Sequence, residues 1–206
     1  MVFMFLTSGL IASPTENTLL SCQEIDLRDI NSCLDGDGNA YARLVERNQS
    51  MVAARMWRFT RDKTAHQELV QEVFVEAYLS LSKYGAKAPF QHWLSRIATI
   101  VGYRFWKYRS RERSRSSIPI EEELDQLVAA EPESMDPSVA ADVLHSLLEQ
   151  LPPRDRLVLV LRYVEDRSVE ETAELTGWTG AMVKVQSWRA RKKLRKLLQD
   201  AGVEVE

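Results

Sequence analysis

Apolar residues recur at three- and four-residue steps through most of this chain, a spacing that predicts helices rather than strands. The first stripe runs from about Asn39 to Phe59 through Tyr41, Leu44, Val45, Val52, Met56 and Phe59, with Asn48 and Arg55 among them. A second carries Leu69, Val70, Val73, Phe74, Ala77, Tyr78 and Leu81, while Glu68, Gln71, Glu72 and Glu76 lie elsewhere on its surface. Gly85 and Pro89 break that helix. A third begins near Phe90, where Trp93, Leu94, Ile97, Val101 and Phe105 keep the period. Three such helices predict one small core.

The third helix turns basic toward its end, reading RFWKYRSRERSR from Arg104, with cations interleaved among Phe105, Trp106 and Tyr108. From Ser116 to Ser138 the charge reverses: Glu121, Glu122, Glu123, Asp125, Glu131, Glu133 and Asp136 stand there without a Lys or Arg. Pro119, Pro132 and Pro137 interrupt this stretch, which predicts a flexible acidic linker. A second helical unit follows from Val139. Its first helix carries Val143, Leu144, Leu147, Leu148 and Leu151 and stops at Pro152-Pro153. Arg154 to Val164 forms the next, through Leu157, Val158, Leu161 and Val164. The expected fold class is all-α. Two small helical domains (28–115 and 139–200) flank a linker over 116–138, and a disordered extension covers 1–27.

Ser168-Val-Glu-Glu171 is a capping box that opens a further helix, Gly177 closes it, and Thr179 is placed to cap a last helix reaching about Asp200. Helix, short Gly-centred turn, helix is the helix-turn-helix arrangement. Ala173 is small where the pair must approach, and Val183, Ala190, Leu194 and Leu197 supply an inner face. Ala181, Lys184, Val185, Trp188 and Arg189 then point outward, followed by Arg191, Lys192, Lys193, Arg195 and Lys196. In such motifs the start of the second helix meets base edges, and later cations neutralise phosphates.

The 206 residues are 45% hydrophobic and 28% charged with a formal charge of −3, so the placement of charge, not its total, points to nucleic acid. Cys22 and Cys33 form no paired metal-ligand motif, and a reducing cytoplasm is expected. The opening MVFMFLTSGLIAS lacks the basic flank of a signal peptide, and no stretch approaches a membrane span. His66, His92 and His145 have no metal or triad spacing, with His66 and His92 expected at solvent-facing helix ends. With no phosphate-binding Gly loop either, the chain is not expected to be an enzyme or to hold a metal or cofactor.

Two blocks carry a family resemblance. Leu151-Pro-Pro-Arg-Asp-Arg-Leu-Val-Leu-Val-Leu-Arg-Tyr163, Glu170-Glu-Thr-Ala-Glu-Leu-Thr-Gly177, Val183-Lys184 and Arg189-Ala-Arg-Lys-Lys-Leu194 resemble the C-terminal DNA-binding domain of bacterial sigma factors. Glu68-Leu-Val-Gln-Glu-Val-Phe74 and Phe90-Gln-His-Trp-Leu-Ser-Arg-Ile-Ala98 resemble their N-terminal domain, in the order of the compact extracytoplasmic-function class. The resemblance implies a transcription initiation factor whose partners are core RNA polymerase and promoter DNA, with an anti-sigma factor as a further partner. It assigns Glu68, Gln71 and Glu72 to the polymerase. Tyr84, Lys87, Trp106, Lys107, Tyr108 and Arg109 fall to the promoter element nearest the start site (−10), with Trp93 read as core. Thr179, Lys184, Val185, Trp188, Arg189 and Lys192 fall to the upstream element (−35). Ile100, Met182, Gln186 and Ser187 depart from the family pattern, which leaves the promoter sequence open.

Overall fold

The computed structural model describes residues 16–116 and 145–200, and every regular element among them is helical. The first half holds α1 (Glu16–Leu34), α2 (Gly38–Met56), α3 (Lys63–Ser80), a single 3-10 turn (Leu81–Lys83) and α4 (Phe90–Ser116). The second holds a short helical turn over 145–149, α5 (Pro153–Leu159) continuing into a π-turn (Val160–Val164), α6 (Val169–Thr176) and α7 (Gly180–Asp200). Most of the acidic stretch lies outside the described residues.

Asp37 and Asp62 start α2 and α3 by accepting backbone N–H bonds from Asn39 and Ala65 at 2.9 and 2.7 Å. The core between them is the predicted one: Leu44, Val52 and Met56 meet Leu69, Val73 and Ala77, with Leu94, Ala98 and Val101 of α4 closing it. Phe59 fills the corner after α2 against Gly102, where a Cβ would lie 2.4 Å from its ring. Only glycine allows that approach. Three expectations fail here. Tyr78 belongs to the predicted stripe yet is 54% exposed, its ring edge-on to Tyr41. His66 is buried instead of facing solvent, stacked on Trp57 with its ring N–H donating to the Ala53 carbonyl at 2.9 Å.

The third concerns the start of the chain, where α1 already begins at Glu16, inside the expected disordered extension. Among the side chains described, Ile30 and Cys33 meet the core, and the other contacts that hold α1 are ionic. Arg47 lies 2.9 Å from Asp26 and 2.6 Å from Asp29, and Arg43 lies 2.6 Å from Asp29. Periodicity counts apolar residues and so passes over such a helix. Burial by itself would raise the Asp29 carboxyl, but Arg43 and Arg47 outweigh it and hold it below its ordinary value.

In the second half Leu157, Val158 and Leu161 pack under Leu175, Val183 and Ala190. The capping box is complete, with Ser168 N–H donating to Glu171 at 2.7 Å and Glu171 N–H to the Ser168 hydroxyl at 3.0 Å. Gly177 ends α6 at φ 75°, a left-handed position open to glycine, and its N–H bonds the Ala173 carbonyl at 2.8 Å. Thr172 is fully buried there, and Ala173 only half so.

Because the folded-state pKa of Asp29 is depressed, its stabilising share is present above the ordinary aspartate value of about 4 and is lost as pH falls below it. Asp29→Asn is expected to lower the denaturant midpoint at neutral pH and to flatten the loss of stability on acidification. Denaturant curves from neutral pH to about pH 3 check this, the lower bound set by that value.

Candidate nucleic-acid interface

Helix α7 is built to show one face. Thr179 caps it, its hydroxyl accepting from Met182 N–H at 3.2 Å. With Val183, Ser187 and Ala190 turned inward, the helical period carries Lys184, Val185, Trp188 and Arg189 outward, and all four are exposed. Val185 and Trp188 are 49% and 58% exposed, large apolar groups left in water between two cations. Lys192 lies 5.8 Å over the Trp188 ring, and Arg191, Arg195 and Lys196 continue the basic surface. Lys193 does not join them, since Asp155 holds its ammonium at 2.6 Å.

Toward the basic end of α4, Lys107, Tyr108, Arg109 and Arg111 are exposed. Trp106, expected among the DNA contacts, is 3% exposed. Its indole N–H donates to the Phe59 carbonyl at 2.7 Å, its ring packs on Phe59, and the Arg156 guanidinium lies 4.0 Å above it. Trp106 is a structural residue in this arrangement. Tyr84 is half-buried, its ring against Phe90 and Trp93 and its hydroxyl donating to the Ala88 carbonyl at 2.6 Å. That packing holds the loop before α4, which bends through Ala86 at φ 52° and leaves Lys87 exposed. Trp93 joins the same cluster, in line with its reading as core.

Glu68, Gln71 and Glu72 share the exposed side of α3. Arg104 reaches across from α4 to Glu72 at 2.6 Å and Glu76 at 2.9 Å, so Gln71 and Glu68 are the freer pair. Exposed Val75 and Leu79 extend this surface along the helix.

The two halves dock through α4. Arg113 pairs with Glu149 at 2.6 Å, and the Tyr103 and Trp178 rings meet edge-on at 6.5 Å. Glu165, its side chain 1% exposed, receives Arg58 at 2.5 Å and Arg55 at 3.4 Å. Burial pushes the Arg156 guanidinium down to about 10, and Glu149 only partly restores it. Hydropathy gave no sign of Glu165 or Arg156 as buried groups, because charges normally read as surface.

Residues 44–112 match the family model of sigma-70 region 2, and residues 141–194 match that of sigma-70 region 4. RNA polymerase sigma factor YlaC of Bacillus subtilis is 30% identical over 146 residues, covering 68% of this chain and 82% of its own. The chain belongs to the sigma-70 family of RNA polymerase sigma factors. RNA polymerase sigma-H factor of Pseudomonas aeruginosa is 28% identical over 86% of this chain and 95% of its own length. ECF RNA polymerase sigma factor SigW of Bacillus subtilis is 27% identical over 80% and 92%. The sigma factor described here is therefore of the extracytoplasmic-function class and acts in promoter recognition by RNA polymerase. A solved structure of CnrH, in complex with the cytosolic domain of CnrY, shares the fold with a TM-score of 0.56 at 23% identity, covering 86% of this chain and 97% of that one. Among the described residues no helix is long and apolar enough to cross a membrane.

Trp106→Ala is expected to cost about 3–5 kcal/mol of stability, the range for truncating a buried aromatic. Chemical denaturation checks it. An unchanged midpoint with weakened DNA binding would instead restore Trp106 to the DNA surface.

Proposed function

We propose that this sigma factor reads the upstream (−35) element with α7, through Lys184, Val185, Trp188 and Arg189. The observation that carries this reading is the exposure of Val185 and Trp188 between cations on the second helix of a helix-turn-helix. Apolar groups there suit thymine methyls and sugar edges, Arg189 suits guanine or phosphate, and Thr179 and Lys192 hold the backbone. On α4 and the loop before it, Lys87, Lys107, Tyr108 and Arg109 hold the strand that opens at the −10 element, with Tyr84 shaping the loop. Glu68 and Gln71, with Glu72 behind them, dock on the polymerase.

The docked halves give this reading a consequence. The two promoter elements lie about 25 base pairs apart, roughly 85 Å along B-DNA. A chain whose α6 packs directly on α4 does not span that length, so the halves part when both elements are engaged. An anti-sigma partner would act by holding the halves together or covering the α3 surface. The reading places the protein in the cytoplasm with the polymerase and gives it no catalysis of its own.

Arg189→Ala and Lys184→Ala are expected to weaken promoter binding by the complex with core polymerase about tenfold each, within the 1–3 kcal/mol typical of such contacts. Gln71→Ala is expected to weaken core binding and leave binding of isolated DNA unchanged. Gel-shift titrations and competition for core polymerase measure both. Promoter affinity indifferent to Arg189 and Lys184 would remove α7 from the interface.

A further inference from the structure

The reading half of α7 rests on a thin inner face. Val183 and Ala190 are fully buried, but Ser187 stands between them, its hydroxyl donating back to the Val183 carbonyl at 2.8 Å. A small polar residue there offers little shape to stop the helix rolling about its axis. One residue of roll amounts to roughly 100°, enough to exchange one outward set of side chains for another.

A buried carboxylate supplies what the apolar contact lacks. Asp155, in the first turn of α5, has a side chain 1% exposed. Its two oxygens are divided between two donors of α7: the Gln186 amide donates at 2.5 Å and the Lys193 ammonium at 2.6 Å. These donors are seven residues apart, close to two turns, and so lie along one edge of the helix. A fixed acceptor meeting both resists roll and slide together. Gln186 also falls between the outward pairs Lys184-Val185 and Trp188-Arg189, so its anchoring sets where all four point.

We propose that Asp155 is a positioning residue for promoter reading, its carboxylate fixing the orientation of α7. Buried as it is, it acts through Gln186 and Lys193 and not by touching DNA. The departures at Gln186 and Ser187 then belong together, a polar clamp standing beside a weakened apolar seat. The proposal rests on α7 being the reader of the upstream element.

The test uses the full chain with core polymerase. Promoter fragments carry either an upstream element selected by the unaltered protein from a randomised library or its scrambled form. The quantity measured is the ratio of the two affinities, alongside circular dichroism and binding to scrambled DNA. Asp155→Asn keeps the shape and removes the charge. It is expected to lower the ratio about tenfold, on the scale of one mismatched base pair, with helical signal and scrambled-DNA binding unchanged. Gln186→Ala, which removes one arm, is expected to lower it less and serves as the test should Asp155→Asn fail to fold. Asp155→Glu, keeping the charge, is expected to recover part of the ratio. An unchanged ratio in folded Asp155→Asn and Gln186→Ala overturns the proposal, as does equal weakening on both DNAs. A ratio near one for the unaltered protein would instead refute α7 as the reader.

Discussion

The indole of Trp106 belongs to both halves of this molecule. Its ring packs on Phe59 at the corner of the first core, its N–H donates to the Phe59 carbonyl, and Arg156 of the second half lies 4.0 Å over it. A desolvated guanidinium over an aromatic ring gains about 2 kcal/mol, and the ring's own burial adds to it. Around this contact the halves are joined by the Tyr103–Trp178 ring pair and by ion pairs, Glu165 with Arg55 and Arg58, and Arg113 with Glu149. Such groups are solvated almost as well by water as by each other, so ion pairs contribute little net free energy to docking. Removing one partner is another matter, since it leaves a buried charge alone. The junction is therefore specific in geometry without being strong, as interfaces between domains of one chain commonly are.

That character suits the proposed reading, in which the surfaces of the two halves serve at separated places on DNA. The docked state leaves the outer face of α7 and the exposed side of α3 in solvent, while α5 and α6 cover part of α4. Opening, as proposed, would return Arg156 and Glu165 to water and so offset part of the lost contact. The three-helix core and the capped helix-turn-helix keep their own apolar interiors, Leu44 to Val101 in one and Leu157 to Ala190 in the other.

Much of this was legible in the sequence, for physical reasons that differ from place to place. The helix-turn-helix could be placed closely because its ends are written in single residues: Ser168 with Glu171, Gly177 and Thr179 each have one favoured position. The outward set on α7 followed from the period once Val183 and Ala190 were inside. Helix α1 was missed because paired charges, Asp26 and Asp29 with Arg43 and Arg47, hold it. Trp106 was misplaced because cations and aromatics interleaved along a helix look the same whether they face DNA or a neighbouring domain. Asp155 and Glu165 escaped notice for a related reason. A buried carboxylate is revealed by the donors that converge on it, and those on Asp155, Gln186 and Lys193, stand 31 and 38 residues away in the sequence.

The most direct measurement is run-off transcription with purified core RNA polymerase on a template bearing the protein's own upstream region. Initiation from one defined start that depends on the added protein, and that disappears with Gln71→Ala and with Arg189→Ala, is the result predicted for a factor working through both α3 and α7. Binding to that template and to genomic fragments without polymerase-dependent initiation would contradict it.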